Sequence, residues 1–98
     1  MNREIKKNLA VIDKNLDLIK KDYQVKKIGI FGSVAKGQQR SGSDLDILIE
    51  FSKPISFFQF IELEEFLSKI LNKKVDLVSK KGLKQAIKKQ VLKEVIYV

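Results

Sequence analysis

Apolar residues Ile5, Leu9, Ile12, Leu16 and Ile19 recur at alternating steps of four and three along the start of the chain. That is the period of an amphipathic helix, predicted to run from Asn2, its cap, to about Asp22. Such a stripe is more often a core face than a partner surface. The period then changes. Val25 to Phe31 reads as a first strand ending in Gly32-Ser33, and Val34 to Gly37 as one helical turn closed by Gly37. Gln38 to Ser43 is polar, contains Gly42 and reads as a loop. Leu45 to Phe51 is a second strand, with Leu45, Ile47, Ile49 and Phe51 on one face and Asp44, Asp46, Leu48 and Glu50 on the other.

Pro54 breaks that strand, and Ser56 caps a second helix reaching about Leu71, with Phe60, Leu63, Leu67 and Ile70 near one face. Glu62, Glu64 and Glu65 lie in its first half and lysines at its end, matching the helix dipole. Asn72-Lys73 makes a turn, and Lys74 to Val78 is a third strand. A third helix from about Leu83 to Lys93 is predicted to bury Leu83, Ala86, Ile87 and Val91 and to show Lys84 and Lys88 to solvent. Ile96 to Val98 adds a short edge strand. The order predicts an α/β (α+β) fold, a small mixed sheet with helices packed against it, with residues 1–98 as a single domain.

A chain of 98 residues buries only about two-thirds of its unfolded surface. It has little room for a catalytic half and a complete recognition half, so a partner is expected. It contains no cysteine and no histidine. Disulfide frameworks, thiolate zinc sites, cysteine nucleophiles and histidine bases are thereby excluded. Chemistry must run on carboxylates, lysines, hydroxyls or a bound metal. No stretch approaches the roughly 20 apolar residues of a membrane helix, and the start lacks a signal peptide's apolar run, so the expected location is the cytoplasm.

The net charge of +8 is unevenly spread: from Lys69 to Lys93 the chain carries Lys73, Lys74, Lys80, Lys81, Lys84, Lys88 and Lys89 as well, against the single acid Asp76. A basic flank beside an acidic cluster suits a polyanion such as a nucleoside triphosphate or RNA, although a solvated lysine surface explains it equally well.

Asp44 and Asp46, two apart on a strand, project from one face with Cβ atoms roughly 7 Å apart. Two such carboxylates repel unless a cation lies between them, and hard oxygen ligands converging from one side suit magnesium or manganese. Asp76 interrupts the apolar run Val75, Leu77, Val78, where a charge is costly unless compensated. If its strand neighbours that of Asp46, the three carboxylates can meet. Gly32-Ser33 lies where a strand gives way to a helical turn, a place where main-chain N–H groups bind phosphate. Alone it is a weak signal, since many turns contain it.

Together these residues read Gly32-Ser33, ten residues, then Asp44-Leu45-Asp46. The stretches Gly29-Ile-Phe-Gly-Ser-Val-Ala-Lys-Gly37 and Ser43-Asp-Leu-Asp-Ile-Leu-Ile-Glu-Phe51 resemble the signature of the polymerase-beta-type nucleotidyltransferase superfamily. Lys74-Val-Asp-Leu-Val78 resembles the strand bearing that family's third acid, and the ending Leu92-Lys-Glu-Val-Ile-Tyr-Val98 is also similar to its minimal (MNT) members. The resemblance implies a magnesium-dependent protein adenylyltransferase encoded beside a HEPN-domain RNase toxin. It further implies an antitoxin that adds AMP from ATP to a tyrosine hydroxyl of that toxin, in a hetero-oligomer with it. Many relatives carry arginine where this chain has Lys36, which keeps the charge but loses the planar fork.

On this reading Asp44, Asp46 and Asp76 hold two magnesium ions, and Asp76 accepts the proton of the acceptor hydroxyl. Gly32 and Ser33 hold the β- and γ-phosphates, and Lys36 or Arg40 steadies the leaving charge. Both of these could equally be solvent-facing loop charges. Two rival readings are a binding-only antitoxin that occludes its toxin, and a small RNA-binding module using the C-terminal lysines. The second is disfavoured because Tyr97 alone offers an aromatic surface near those lysines.

Overall fold

The helical period at the start of the chain is interrupted at Asn15, which divides the predicted single helix into α1 (Arg3–Lys14) and α2 (Leu16–Asp22). The Asn15 side-chain amide donates to the Val11 carbonyl at 2.8 Å, and its main-chain N–H to Ile12 at 3.0 Å. Asparagine competes in this way for backbone groups and turns the chain. The apolar stripe survives the break, since Ile5, Ile12 and Ile19 are all buried. The computed structural model describes residues 3–32 and 44–98. The predicted cap Asn2, the turn at 34–37 and the loop at 38–43 lie outside them.

Strand β1 (Val25–Phe31) pairs antiparallel with β2 (Leu45–Phe51), which pairs in parallel with β3 (Val75–Ser79). The two-residue strand β4 (Ile96–Tyr97) pairs antiparallel with β1, so the sheet order is β3-β2-β1-β4. A register shift between Val25 and Lys27 brings Val25 onto the same face as Ile28 and Ile30 despite the odd spacing. All three join Leu45, Ile47 and Ile49 of β2 in the core. β4 approaches β1 closely because residue 29 is glycine: a Cβ there would lie 2.7 Å from Val95 Cγ2 and 2.8 Å from the Ile96 carbonyl oxygen.

Helix α3 (Phe57–Leu71) starts where the sequence predicts. Ser56 Oγ accepts from the Gln59 N–H at 3.2 Å and Gln59 Oε1 accepts from the Ser56 N–H at 3.1 Å, a capping box. Asn72 ends the helix in the left-handed conformation at φ 52°, and the Lys73 N–H closes back onto the Ser68 carbonyl. Leu63, Leu67 and Leu71 are buried against the same sheet face as α1 and α2, with Phe60 and Ile70 partly covered beside them. Each fully buried leucine or isoleucine is worth about 1.5–3 kcal/mol, so this single layer dominates the stability.

The last helix differs from its prediction. After a 3-10 turn at Lys80–Gly82, α4 begins at Gln85 and runs to Glu94. Val91 is buried and Leu83 half-buried, but Ala86 and Ile87 are exposed, and Lys88 is half-buried rather than free in solvent. The 3.6-residue period correctly gives a helix here, yet Val91 alone among the residues of α4 is buried.

Candidate active site

Strand alternation decides which carboxylates leave the core. Leu45, Ile47 and Ile49 of β2 are fully buried, so Asp46 is sent to the opposite face of the sheet. Across that face Phe31 of β1 is in register with Asp46, and Asp46 with Asp76 of β3. The exit of the first strand and two of the three sequence-predicted acids therefore lie in one row.

Gly32 follows at φ 79°, in the region that favours glycine. A Cβ at this position would overlap Asp46 Oδ2. The missing side chain thus serves two ends, a left-handed turn and room for a carboxylate against the backbone. Asp46 is half-buried, and its carboxyl is pushed above the usual range. Burial is the main cause, followed by the negative charges of Asp76 and Asp44 and by a hydrogen bond with Asp76.

Asp44 sits just before β2, exposed. The sequence shows no cation beside it, but the parallel register brings Lys74 Nζ to 3.9 Å from its Oδ2. Both side chains are solvated, so this pair holds Asp44 weakly. Asp76 is exposed, and its strand is at the sheet edge rather than buried. The cost of burying charge, which the sequence assigns to Asp76, falls on Asp46 instead.

The edge position creates a different need. Unpaired N–H groups of an edge strand must find partners. The Val75 N–H donates to Ser68 Oγ at 3.2 Å and the Leu77 N–H to Glu64 Oε2 at 3.1 Å. α3 thus grips β3 on either side of Asp76. Sequence reading missed Glu64 and Ser68. Their spacing of four on one helix was the available signal, but nothing in it says which strand edge they meet.

Among the described residues no group of three acids converges on a point that would hold a metal ion. The site nevertheless fits a divalent cation chemically: Asp46 and Asp76 stand in register on neighbouring strands, and two like charges placed side by side are relieved by a proton or by a cation bound between them. Asp44 would join them by leaving Lys74. Ser33, Lys36 and Arg40 lie outside the described residues.

Comparison with known proteins gives this geometry a context. The family model described as nucleotidyltransferase domain matches residues 12–98. The chain is 46% identical over 80 residues to protein adenylyltransferase MntA of Thermococcus cleftensis, spanning 82% of this chain and 81% of that protein. A solved structure of a minimal nucleotidyltransferase superposes with a TM-score of 0.81 at 33% identity, covering 94% of this chain and 93% of the other. A third match is the complex of a tri-AMPylated HEPN toxin with its MNT antitoxin from Shewanella oneidensis. There the TM-score is 0.66 at 22% identity, over 92% of this chain and 70% of the other, a likeness of fold alone.

Proposed function

The chain belongs to the nucleotidyltransferase domain family, and from that premise we propose that it transfers AMP from ATP to a tyrosine hydroxyl of a HEPN-domain RNase toxin, acting as its antitoxin. The observation that carries this reading is the row formed by Gly32, Asp46 and Asp76, with Asp46 crowded by negative charge. That arrangement suits phosphoryl-group chemistry, in which positioning and charge compensation supply most of the catalysis.

In the transfer, the hydroxyl oxygen attacks the α-phosphorus and forms the new P–O bond. The bond from the α-phosphorus to its bridging oxygen breaks, and pyrophosphate leaves. No covalent enzyme intermediate is required. Asp44, Asp46 and Asp76 would hold two magnesium ions, which when bound supply positive charge to the phosphates and ease loss of the hydroxyl proton. Asp76, solvent-exposed on β3, takes up that proton at its carboxylate. Gly32 keeps the approach to Asp46 open and, with Ser33, binds the β- and γ-phosphates through main-chain N–H groups and the serine hydroxyl. Lys36 or Arg40 steadies the leaving pyrophosphate.

The membership supports transfer; the toxin partner is proposed from the likeness to antitoxins. The test is co-expression of the neighbouring-gene HEPN protein with this chain or with its Asp44→Ala, Asp46→Ala double variant. The proposal expects the native chain to protect growth and cellular RNA and the double variant, present at equal level, to lose that protection. Full protection by the variant would sink catalysis as the mechanism and leave occlusion of the toxin by binding.

A further inference from the structure

A second feature lies at the other end of β2. Between the segment after that strand, the start of α3 and the Ser79–Lys81 turn is a groove of about 640 Å³. Ile55 and Phe60, half-buried, form its apolar floor, exposed Phe57 lines it beside them, and Lys53, Lys80, Lys81 and Lys88 complete the lining. Glu50 is the one acid in its lining, and it is already shared by Lys26 at 3.9 Å and Lys80 at 3.8 Å. Among the described residues, Lys53, Lys81 and Lys88 have no carboxylate within ion-pair distance.

Phe57 is 72% exposed and Phe58 beside it 79%. Single exposed apolar residues are ordinary, but Phe57 lines a concave apolar groove and its chain neighbour Phe58 is equally bare, and such a pair marks a surface that a partner covers. The charge around them restricts what covers it. Three unneutralised lysines call for an anionic partner, and the floor calls for apolar side chains. The Phe57 and Phe58 rings meet edge-on, at 65°, so they do not offer parallel faces to successive bases of a nucleic acid. A protein segment meets both requirements.

We propose that this groove docks an acidic, amphipathic segment of a protein partner, its apolar side chains on Phe57 and Ile55 and its carboxylates on Lys53, Lys81 and Lys88. Glu50 in the lining lies four residues along β2 from Asp46, a span of about 13 Å at roughly 3.3 Å per residue. A protein held there would be within reach of the row of carboxylates with another part of its surface. That the docked protein is also the AMP acceptor rests on the proposed function; the docking itself does not.

The test is a titration of the 15N-labelled chain, without ATP, followed through its amide spectrum. Two peptides are used, sharing one apolar helical stripe and differing in whether glutamates or lysines flank it, with a short oligouridine as a third probe. The glutamate peptide is expected to shift amides of residues 52–60 and 79–88. Its affinity should fall about tenfold or more in Lys81→Glu, Lys88→Glu, the loss of about 1.4 kcal/mol, and likewise in Phe57→Ser. Phe57 is exposed, so that variant keeps its core and guards against a folding artefact in the first. The charge-reversed variant should instead gain affinity for the lysine peptide. The proposal is overturned if the glutamate peptide leaves these amides unmoved, if both peptides bind the native chain alike, or if oligouridine alone shifts them. Because no nucleotide is present, either result leaves the proposed transfer reaction to its own test.

Discussion

A half-buried carboxylate with two others nearby gains stability by losing its charge, and Asp46 is placed that way. Its folded pKa is raised, so at neutral pH its ionisation costs stability. That cost is relieved as pH falls through the folded value toward the ordinary one. Without metal, Asp46→Asn should therefore melt higher than the native chain at neutral pH. The gain should be small, because Asp46 is only half-buried and solvent screens its charge, and it should shrink in acid. Thermal melts with a chelator at both pH values check this, and the same variant should lose transfer. Gly32→Ala acts on the same carboxylate by another route. Its Cβ meets Asp46 Oδ2 at a left-handed φ, so the variant should lose about 1–2 kcal/mol and about 100-fold in transfer rate. Denaturant unfolding and single-turnover labelling read the two effects separately. At this scale local signals were enough for two placements: strand alternation puts Asp46 on the face away from the core, and the turn after β1 puts Gly32 beside it. The charge strain at Asp46 rather than Asp76 was not legible, because it depends on which strand lies at the sheet edge.

At the scale of elements, the grip of α3 on β3 fixes the third acid. Replacing Glu64 by alanine leaves the Leu77 N–H without its acceptor, and Ser68→Ala does the same for Val75. Each should cost about 1–3 kcal/mol if the N–H stays buried, less if water reaches it. Amide hydrogen exchange should quicken at Leu77 and Val75 while β1 stays protected. Glu64→Gln, which retains an acceptor oxygen, should restore most of the protection. The strands β1, β2 and β3 and the capped start of α3 were readable because alternation, Pro54 and Ser56 are local signals. The break at Asn15 was not, since the apolar stripe continues through it. The exposed flank of α4 was misread for a related reason: periodicity reports a helix's apolar side but not whether another part of the fold covers it.

For the molecule as a whole, one face of the sheet is closed by α1, α2 and α3, while the other carries Asp46 and the row beside it. Among the described residues no helix is long and apolar enough to cross a membrane. The excess lysine between 69 and 93, ambiguous in the sequence, divides in the structure. Lys73 reaches Glu4 at 2.9 Å and Lys74 lies by Asp44, while Lys80, Lys81 and Lys88 line the groove with Phe57. That groove joins residues 50–60 to residues 79–88, and no local pattern could have announced it. The central claim is that the carboxylate row transfers the α-phosphoryl end of ATP. Its most direct test supplies magnesium, the neighbouring-gene HEPN protein and ATP labelled at either the α- or the γ-phosphate. The account predicts protein-bound label from α-labelled ATP only, lost in both Asp46→Ala and Asp76→Ala. Label arriving from the γ-phosphate, or α-label persisting in those variants, would contradict it.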